Sequence, residues 1–215
     1  MTDVAPARFD TLAGWLDWQE ALHATAMDLG LERVRQVAQR MDWPPRQFPL
    51  ITVAGTNGKG STVAYMESTL VADGRRVGTY SSPHLVHYNE RIRLGGLPCS
   101  DDEIMRSFAR LDTARADTTL TYFEFGTLAA MDIFVRLNVD VAVMEVGIGG
   151  RLDAVNVFDP TVAVLTAIDV DHQKWLGKDR EAIGLEKAGI FRSNQPAEMV
   201  DRKPPQSVSA RADGL

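Results

Sequence analysis

Apolar positions along the chain follow two periods. From Phe9 to Met41 they recur at helical spacing, as Leu12, Trp15, Leu16 and Leu22 and then Leu31, Val34, Val37, Ala38 and Met41. This predicts two helices, interrupted near Asp28-Leu29-Gly30 and stopped by Pro44-Pro45. Trp15 and Trp18 fall on the pattern and read as packing residues. After the prolines, short β-branched runs take over at Leu50–Ala54, Val77–Tyr80, Val139–Val146 and Thr161–Thr166. The third is polar only at Asp140 and Glu145, as expected of a strand covered on both faces of a parallel sheet. Helical stretches alternate with these runs: Ser61–Ala72 ending at Gly74, Ser100 to about Ala116, Tyr122 to about Leu137, and Asp179–Ala188. Ser100-Asp101-Asp102-Glu103 has the spacing of a capping box, and Glu90–Leu94 reads as an extended or hairpin-like piece closed by Gly95-Gly96. Strand–helix alternation predicts an α/β fold, a mostly parallel sheet flanked by helices with right-handed crossovers. From Ser193 onward, Pro196, Pro204, Pro205 and scattered charges predict a loosely ordered tail over 193–215, so the sheet looks incomplete at its C-terminal end.

Composition adds exclusions. The 215 residues are 45% hydrophobic and 24% charged, ordinary for a globular protein. A net charge of −6 argues against a nucleic-acid or anionic-membrane surface. Cys99 stands alone, which excludes an internal disulfide and a cysteine-built zinc site. Met1–Asp10 carries acids and no apolar leader core, and no run approaches transmembrane length, so a cytoplasmic protein is expected.

The stretch Leu50-Ile51-Thr52-Val53-Ala54-Gly55-Thr56-Asn57-Gly58-Lys59-Gly60-Ser61 carries the clearest chemistry. An apolar run stops at Gly55, and a glycine-punctuated turn opens a helix. Gly55, Gly58 and Gly60 allow backbone to approach an anion, and the helix start directs unpaired N–H groups at the same spot. Lys59 can reach terminal phosphates, and Ser61 or Thr62 can face magnesium. The strict G-x-x-x-x-G-K-[ST] pattern is not met, because Val53 stands at its first glycine and Gly60 follows the lysine. The alternative is a plain glycine-rich turn with a solvated lysine.

Further polar residues fall at predicted strand ends: Ser81 and Ser82, Glu145, and Asp171 with His172. Open α/β sheets bind ligands at that edge. Glu145 fits a magnesium ligand or an acid at the sheet edge without a role. His172 fits a metal ligand, a general base or a surface residue, and Lys187 beside Glu186 reads as a surface ion pair. Arg151 and Asp153 are compatible with substrate contact or with a local salt bridge.

Thr56-Asn57-Gly58-Lys59-Gly60-Ser61, Tyr80-Ser81-Ser82-Pro83-His84-Leu85, Glu90-Arg91-Ile92, Tyr122-Phe123-Glu124, Glu145 to Ala154, Asp171-His172 and Glu186-Lys187-Ala188-Gly189-Ile190, taken in order, resemble the folylpolyglutamate synthase and dihydrofolate synthase family of the muramyl-ligase-like superfamily. The resemblance runs from about Leu12 to Arg192. It implies a P-loop ATPase domain of the muramyl-ligase type over 1–192, followed in longer family members by the rest of that domain and a C-terminal glutamate-ligase domain. It implies ATP-dependent ligation of L-glutamate to dihydropteroate or to folate polyglutamates through an acyl phosphate, by an enzyme expected to be monomeric at full length.

By the same resemblance, Gly55, Thr56, Asn57, Gly58, Lys59, Gly60 and Ser61 bind ATP. Ser82 and Glu145 hold one magnesium ion and His172 a second, with Lys59, His172 and Lys187 in the catalytic set. Lys187 matches a lysine that family members carry N-carboxylated. Asp28 and Leu29, Thr121, Tyr122, Phe123 and Glu124, and Leu152, Asp153 and Ala154 match the pterin pocket. Gln173-Lys174 departs from the family after His172. Because family members are about twice as long, the chain alone is expected to bind nucleotide weakly and to ligate little. The competing expectations are a nucleotide-binding module without ligase activity and a cell-wall muramyl-ligase relative.

Overall fold

A computed structural model describes residues 7–215; residues 1–6, the start of the predicted 1–192 region, lie outside the described residues. Two helices, α1 (Leu12–Glu20) and α2 (Glu32–Arg40), lead into strand β1 (Leu50–Ala54). Then follow α3 (Lys59–Ala72), β2 (Val77–Tyr80), the hairpin β3 (Ile92–Leu94) and β4 (Leu97–Pro98), α4 (Asp101–Arg115), α5 (Tyr122–Arg136) and β5 (Val141–Glu145). The chain continues through β6 (Val162–Leu165), α6 (Gln173–Leu176), α7 (Arg180–Lys187), β7 (Ala197–Met199) and α8 (Gln206–Asp213).

The strands form one seven-stranded sheet in the order β4-β3-β2-β5-β1-β6-β7. β2, β5, β1, β6 and β7 run parallel, and β3 and β4 are added antiparallel at one edge. The four predicted strands are therefore its central ones. β3 falls within the extended piece read at Glu90–Leu94, and β4 and β7 escape prediction because two or three residues carry too little periodicity to read.

Alternation along the strands splits the core. Ile51, Val53, Val77, Val141, Val143, Val162 and Val164 face α3, where Val63, Met66 and Leu70 meet them. The opposite face joins the larger core, which contains Trp15, Val34, Val37, Phe108, Phe125 and Phe134. Trp15 is fully buried, stacked edge-on with Phe9 and Trp18, as its place on the helical pattern implied.

Two corrections concern elements. Ser100 caps α4 by accepting from the Glu103 N–H at 3.3 Å, but the Glu103 carboxylate does not return the bond. It is drawn instead to Arg106 and Arg136, at 2.6 and 3.0 Å. A complete capping box sits instead at α5, where the Glu124 carboxylate accepts the Thr121 N–H and the Thr121 hydroxyl accepts the Glu124 N–H. The region 193–215 is also not a loose tail. β7 extends the sheet beside β6, and α8 inserts Val208 against Gly184 of α7, where no side chain stands in its way. Glu181 fastens the turn by accepting the N–H groups of Gln206 and Ser207 at 3.1 and 2.8 Å. Among the described residues no helix is long and apolar enough to cross a membrane.

Candidate active site

Sheet order brings four loops to one edge. β1, with β5 on one side and β6 on the other, is where successive connections leave in opposite directions, and the loops after β1, β2, β5 and β6 open there together.

The loop after β1 is locked by its neighbour. Thr56 N–H donates to Ala167 O at 2.8 Å, the Thr56 hydroxyl exchanges hydrogen bonds with the backbone of Asp169, and the Thr166 hydroxyl donates to Asn57 O at 2.8 Å. Gly55, at φ +150°, passes so close to Thr166 that a Cβ there would lie 1.8 Å from its Oγ1, so glycine is obligatory. Gly58 caps α3 in the left-handed region, and Gly60 and Ser61 lie in the first helical turn, where backbone N–H groups have no helical acceptor. Lys59 Nζ rests on Thr56 O at 3.3 Å.

Glu145 ends β5 almost fully buried. Ser82 donates its backbone N–H to the Glu145 Oε2 at 3.3 Å, which brings the ends of β2 and β5 into contact. Burial raises the Glu145 pKa, opposed by that N–H and by Lys59. A buried acid with no salt-bridge partner among the described residues suits a divalent cation. No three acid, histidine or cysteine side chains converge there among the described residues, so a cation would also draw on serine and on phosphate oxygens. His172, at φ +49°, is half-exposed, with Asp171 3.5 Å away, and it lines the same cleft.

Lys187 is not on the surface. Its side chain is 3% exposed and its Nζ donates to Gly55 O at 2.8 Å. Desolvation, and then Lys59, lower its pKa to about 8. The burial is produced by the loop Gly147–Arg151, which lies against the end of α7 because Gly150 lacks a side chain; a Cβ there would meet Lys187 O at 2.7 Å. Local sequence shows Glu186-Lys187 as an exposed pair, and in fact Glu186 takes Arg151 at 2.9 Å. Asp153, the other residue left open, does not pair with Arg151. It is buried, it accepts the N–H groups of Gly147, Ile148 and Val155 at 3.0 Å each, and burial pushes its pKa up to about 6.

A cavity of about 400 Å³ adjoins this edge. Lys59, Ser82 and His172 line it, and so do Asp28, Leu29, Thr121, Tyr122, Phe123, Glu124, Leu152, Asp153 and Ala154. Three separate stretches, the first and last of them more than 100 residues apart in the chain, thus share one wall. Arg33 ties two of them together, donating to Asp28 at 2.7 Å and to Glu124 at 2.9 Å. Arg91, Pro83, Gly147 and Ile148 line the cavity too and were not singled out individually from sequence, although each belongs to a motif that was.

Residues 53–200 match the model of the Mur ligase middle domain. The chain belongs to the Mur ligase family. This Mur ligase chain is 51% identical to the dihydrofolate synthase/folylpolyglutamate synthase of Escherichia coli over 95% of its own length and 48% of the relative's. The enzyme of that name from Haemophilus influenzae is 47% identical, over 95% of this chain and 46% of its own length. Among solved structures, E. coli FolC in complex with DHPP and ADP superimposes with a TM-score of 0.93 at 50% identity, covering 97% of this chain and 50% of that one. A Yersinia pestis bifunctional folylpolyglutamate synthase/dihydrofolate synthase with AMPPNP and Mn gives 0.91 at 50% identity, covering 98% and 51%. The chain spans about half the length of the curated relatives it matches. The folate-branch motifs and the muramyl-ligase type of sheet expected from sequence agree with these likenesses.

Proposed function

We propose that this chain forms the ATP-binding and acid-binding part of a ligase that joins L-glutamate to dihydropteroate or to folate polyglutamates. The observation that carries the reading is the single cavity that Lys59, Ser82 and His172 share with all nine residues of the expected pterin pocket. Its aromatic wall, Tyr122 and Phe123, suits a flat heterocycle, while the phosphate loop at the other side suits a triphosphate.

A carboxylate is a poor electrophile toward an amine. Attack of its oxygen on the γ-phosphorus of ATP breaks the bond to the bridging oxygen, releases ADP and gives an acyl phosphate. The amino nitrogen of glutamate then attacks the acyl carbon, losing a proton, and phosphate leaves. The protein's part is to hold the reactants in line and to neutralise charge. Residues 55–61 cradle the phosphates, with Lys59 on the terminal ones. Ser82 and Glu145 hold one magnesium ion and His172 a second, which when bound neutralise phosphate charge. Lys187 is the lysine that takes up carbon dioxide. Only a neutral amine adds to carbon dioxide, and a pKa of about 8 leaves roughly a tenth of this one neutral at pH 7. Intact mass measured after exposure to bicarbonate should show one added carbon dioxide that Lys187→Met lacks. The ATP-binding unit takes in β7 and α8 together with the elements before them, and the setting is cytoplasmic, with a monomer at full length.

Phosphate release tests the reading. Purified chain with ATP and magnesium should release phosphate only when dihydropteroate is added, however slowly, and Lys59→Ala should abolish the release. Release that is indifferent to dihydropteroate but stimulated by a nucleotide-sugar acid would overturn it.

A further inference from the structure

Arg91 is a charged residue of the cleft to which the reading above gives no task, and the inference below rests on that reading. Its backbone is fixed beside the metal-site loop, with Ser81 N–H donating to Arg91 O at 2.9 Å. The turn that delivers it is cinched by the Glu90 carboxylate, which accepts the N–H groups of Leu85, Val86 and His87 at 2.7, 2.9 and 2.7 Å. The guanidinium lies 5.7 Å from the centre of the Tyr88 ring and 5.4 Å from that of Tyr122, and its Nε donates to His84 Nδ1 at 2.8 Å.

Charge matching is what sets Arg91 apart. Arg33 and Arg151, which brace the cleft, are each matched to acids, Arg33 to Asp28 and Glu124 and Arg151 to Glu186. Arg91 has no carboxylate within ion-pair distance among the described residues; its Nε is held by the His84 ring nitrogen, and the Tyr80 hydroxyl lies beside it, both of them uncharged. The acids lining the cavity are already engaged, Asp28 and Glu124 by Arg33 and Asp153 by three N–H groups. A guanidinium laid over aromatic faces, with its Nε tied down, presents its Nη groups in a fixed plane and is poorly hydrated. That is a prepared fork for a planar anion, at the same wall as Tyr122 and Phe123.

We propose that Arg91 holds the carboxylate of the acid substrate through its Nη groups. A carboxylate approaching a triphosphate is repelled by it, and a cation fixed on the acid's side of the cleft offsets the repulsion while orienting the attacking oxygen. Arg91 thereby selects acids over neutral analogues of the same shape.

Equilibrium titration of the whole chain, by calorimetry in the presence of ATP and magnesium, tests this with two probes: dihydropteroate and its carboxamide. Wild type should bind the acid more tightly than the amide. Arg91→Met should weaken the acid by about ten- to a hundredfold and leave the amide unchanged, with Arg91→Lys between them. ATP binding by both variants, unchanged from wild type, reports an intact fold. Acid binding by Arg91→Met as tight as wild type would overturn the proposal. So would equal losses for acid and amide, since they would mean that Arg91 only supports Tyr122. Wild type that binds ATP but neither probe would sink the ligase reading itself, and this inference with it.

Discussion

Lys187 shows how a single side chain records the competition between burial and charge. In an unfolded chain its ammonium titrates near 10.5, and folding lowers that to about 8 by stripping water from it and placing it near Lys59. Between those values the unfolded chain binds more protons, so stability rises with pH through that window. Below pH 8 the fold bears the whole cost of the buried cation, about 3 kcal/mol. Urea unfolding in bicarbonate-free buffer should show wild type gaining about 2 kcal/mol from pH 7.5 to 9.5 relative to Lys187→Met. Equal pH dependence in the two proteins would mean that the ammonium is solvated after all. Asp153 runs the other way. Its pKa is raised to about 6, so its neutral form is favoured by folding and its contribution is lost as pH rises from 3.8 through 6. Neither effect is legible in sequence: Lys187 depends on Gly55 arriving from the loop after β1, and Asp153 on the loop after β5 folding back so that its own Gly147 and Ile148 N–H groups reach the carboxylate.

At the scale of elements, what could be read was what local sequence determines. The five-residue runs of β1 and β5 and the capped helix α5 carry their own periodicity and caps, and they stand where the pattern places them. β7 and α8 do not. Three residues of strand and an eight-residue helix form only because β6 offers an edge and Gly184 offers a socket for Val208, and both lie outside their own sequence. The same split runs through the cleft. The phosphate loop was legible because glycines, strand and helix are contiguous, whereas Arg91 was not, because the missing acid that marks it is a fact about three dimensions. A docking centred on one fully buried apolar side chain has a direct consequence. Val208→Asp should detach α8, since a carboxylate cannot enter a buried apolar socket. Trypsin should then cut after Arg202 or Arg211 roughly tenfold faster than in wild type. Nucleotide binding should be unaffected, and unchanged cleavage would show that α8 is held elsewhere.

The molecule as a whole sets stability against binding at Glu145. A buried carboxylate whose hydrogen-bond partner is one backbone N–H at 3.3 Å is costly in the ligand-free protein, as its raised pKa reports. Removing the charge should therefore stabilise the free chain, and Glu145→Gln should melt at a temperature equal to or higher than wild type. A ligand that binds only the folded state adds RT ln(1 + [L]/Kd), about 2.7 kcal/mol at a hundredfold excess over Kd. For a chain of this size that moves the melting midpoint by roughly 5–10 °C. If Glu145 is there to receive a divalent ion with the nucleotide, wild type should show a larger rise with ATP plus magnesium than with ATP plus chelator. Glu145→Gln should show the same small rise in both. A residue retained for the fold alone would behave in the opposite sense, lowering the free protein's midpoint when changed and leaving the magnesium increment intact. The two midpoints, with and without ligand, thus separate a carboxylate kept for chemistry from one kept for packing.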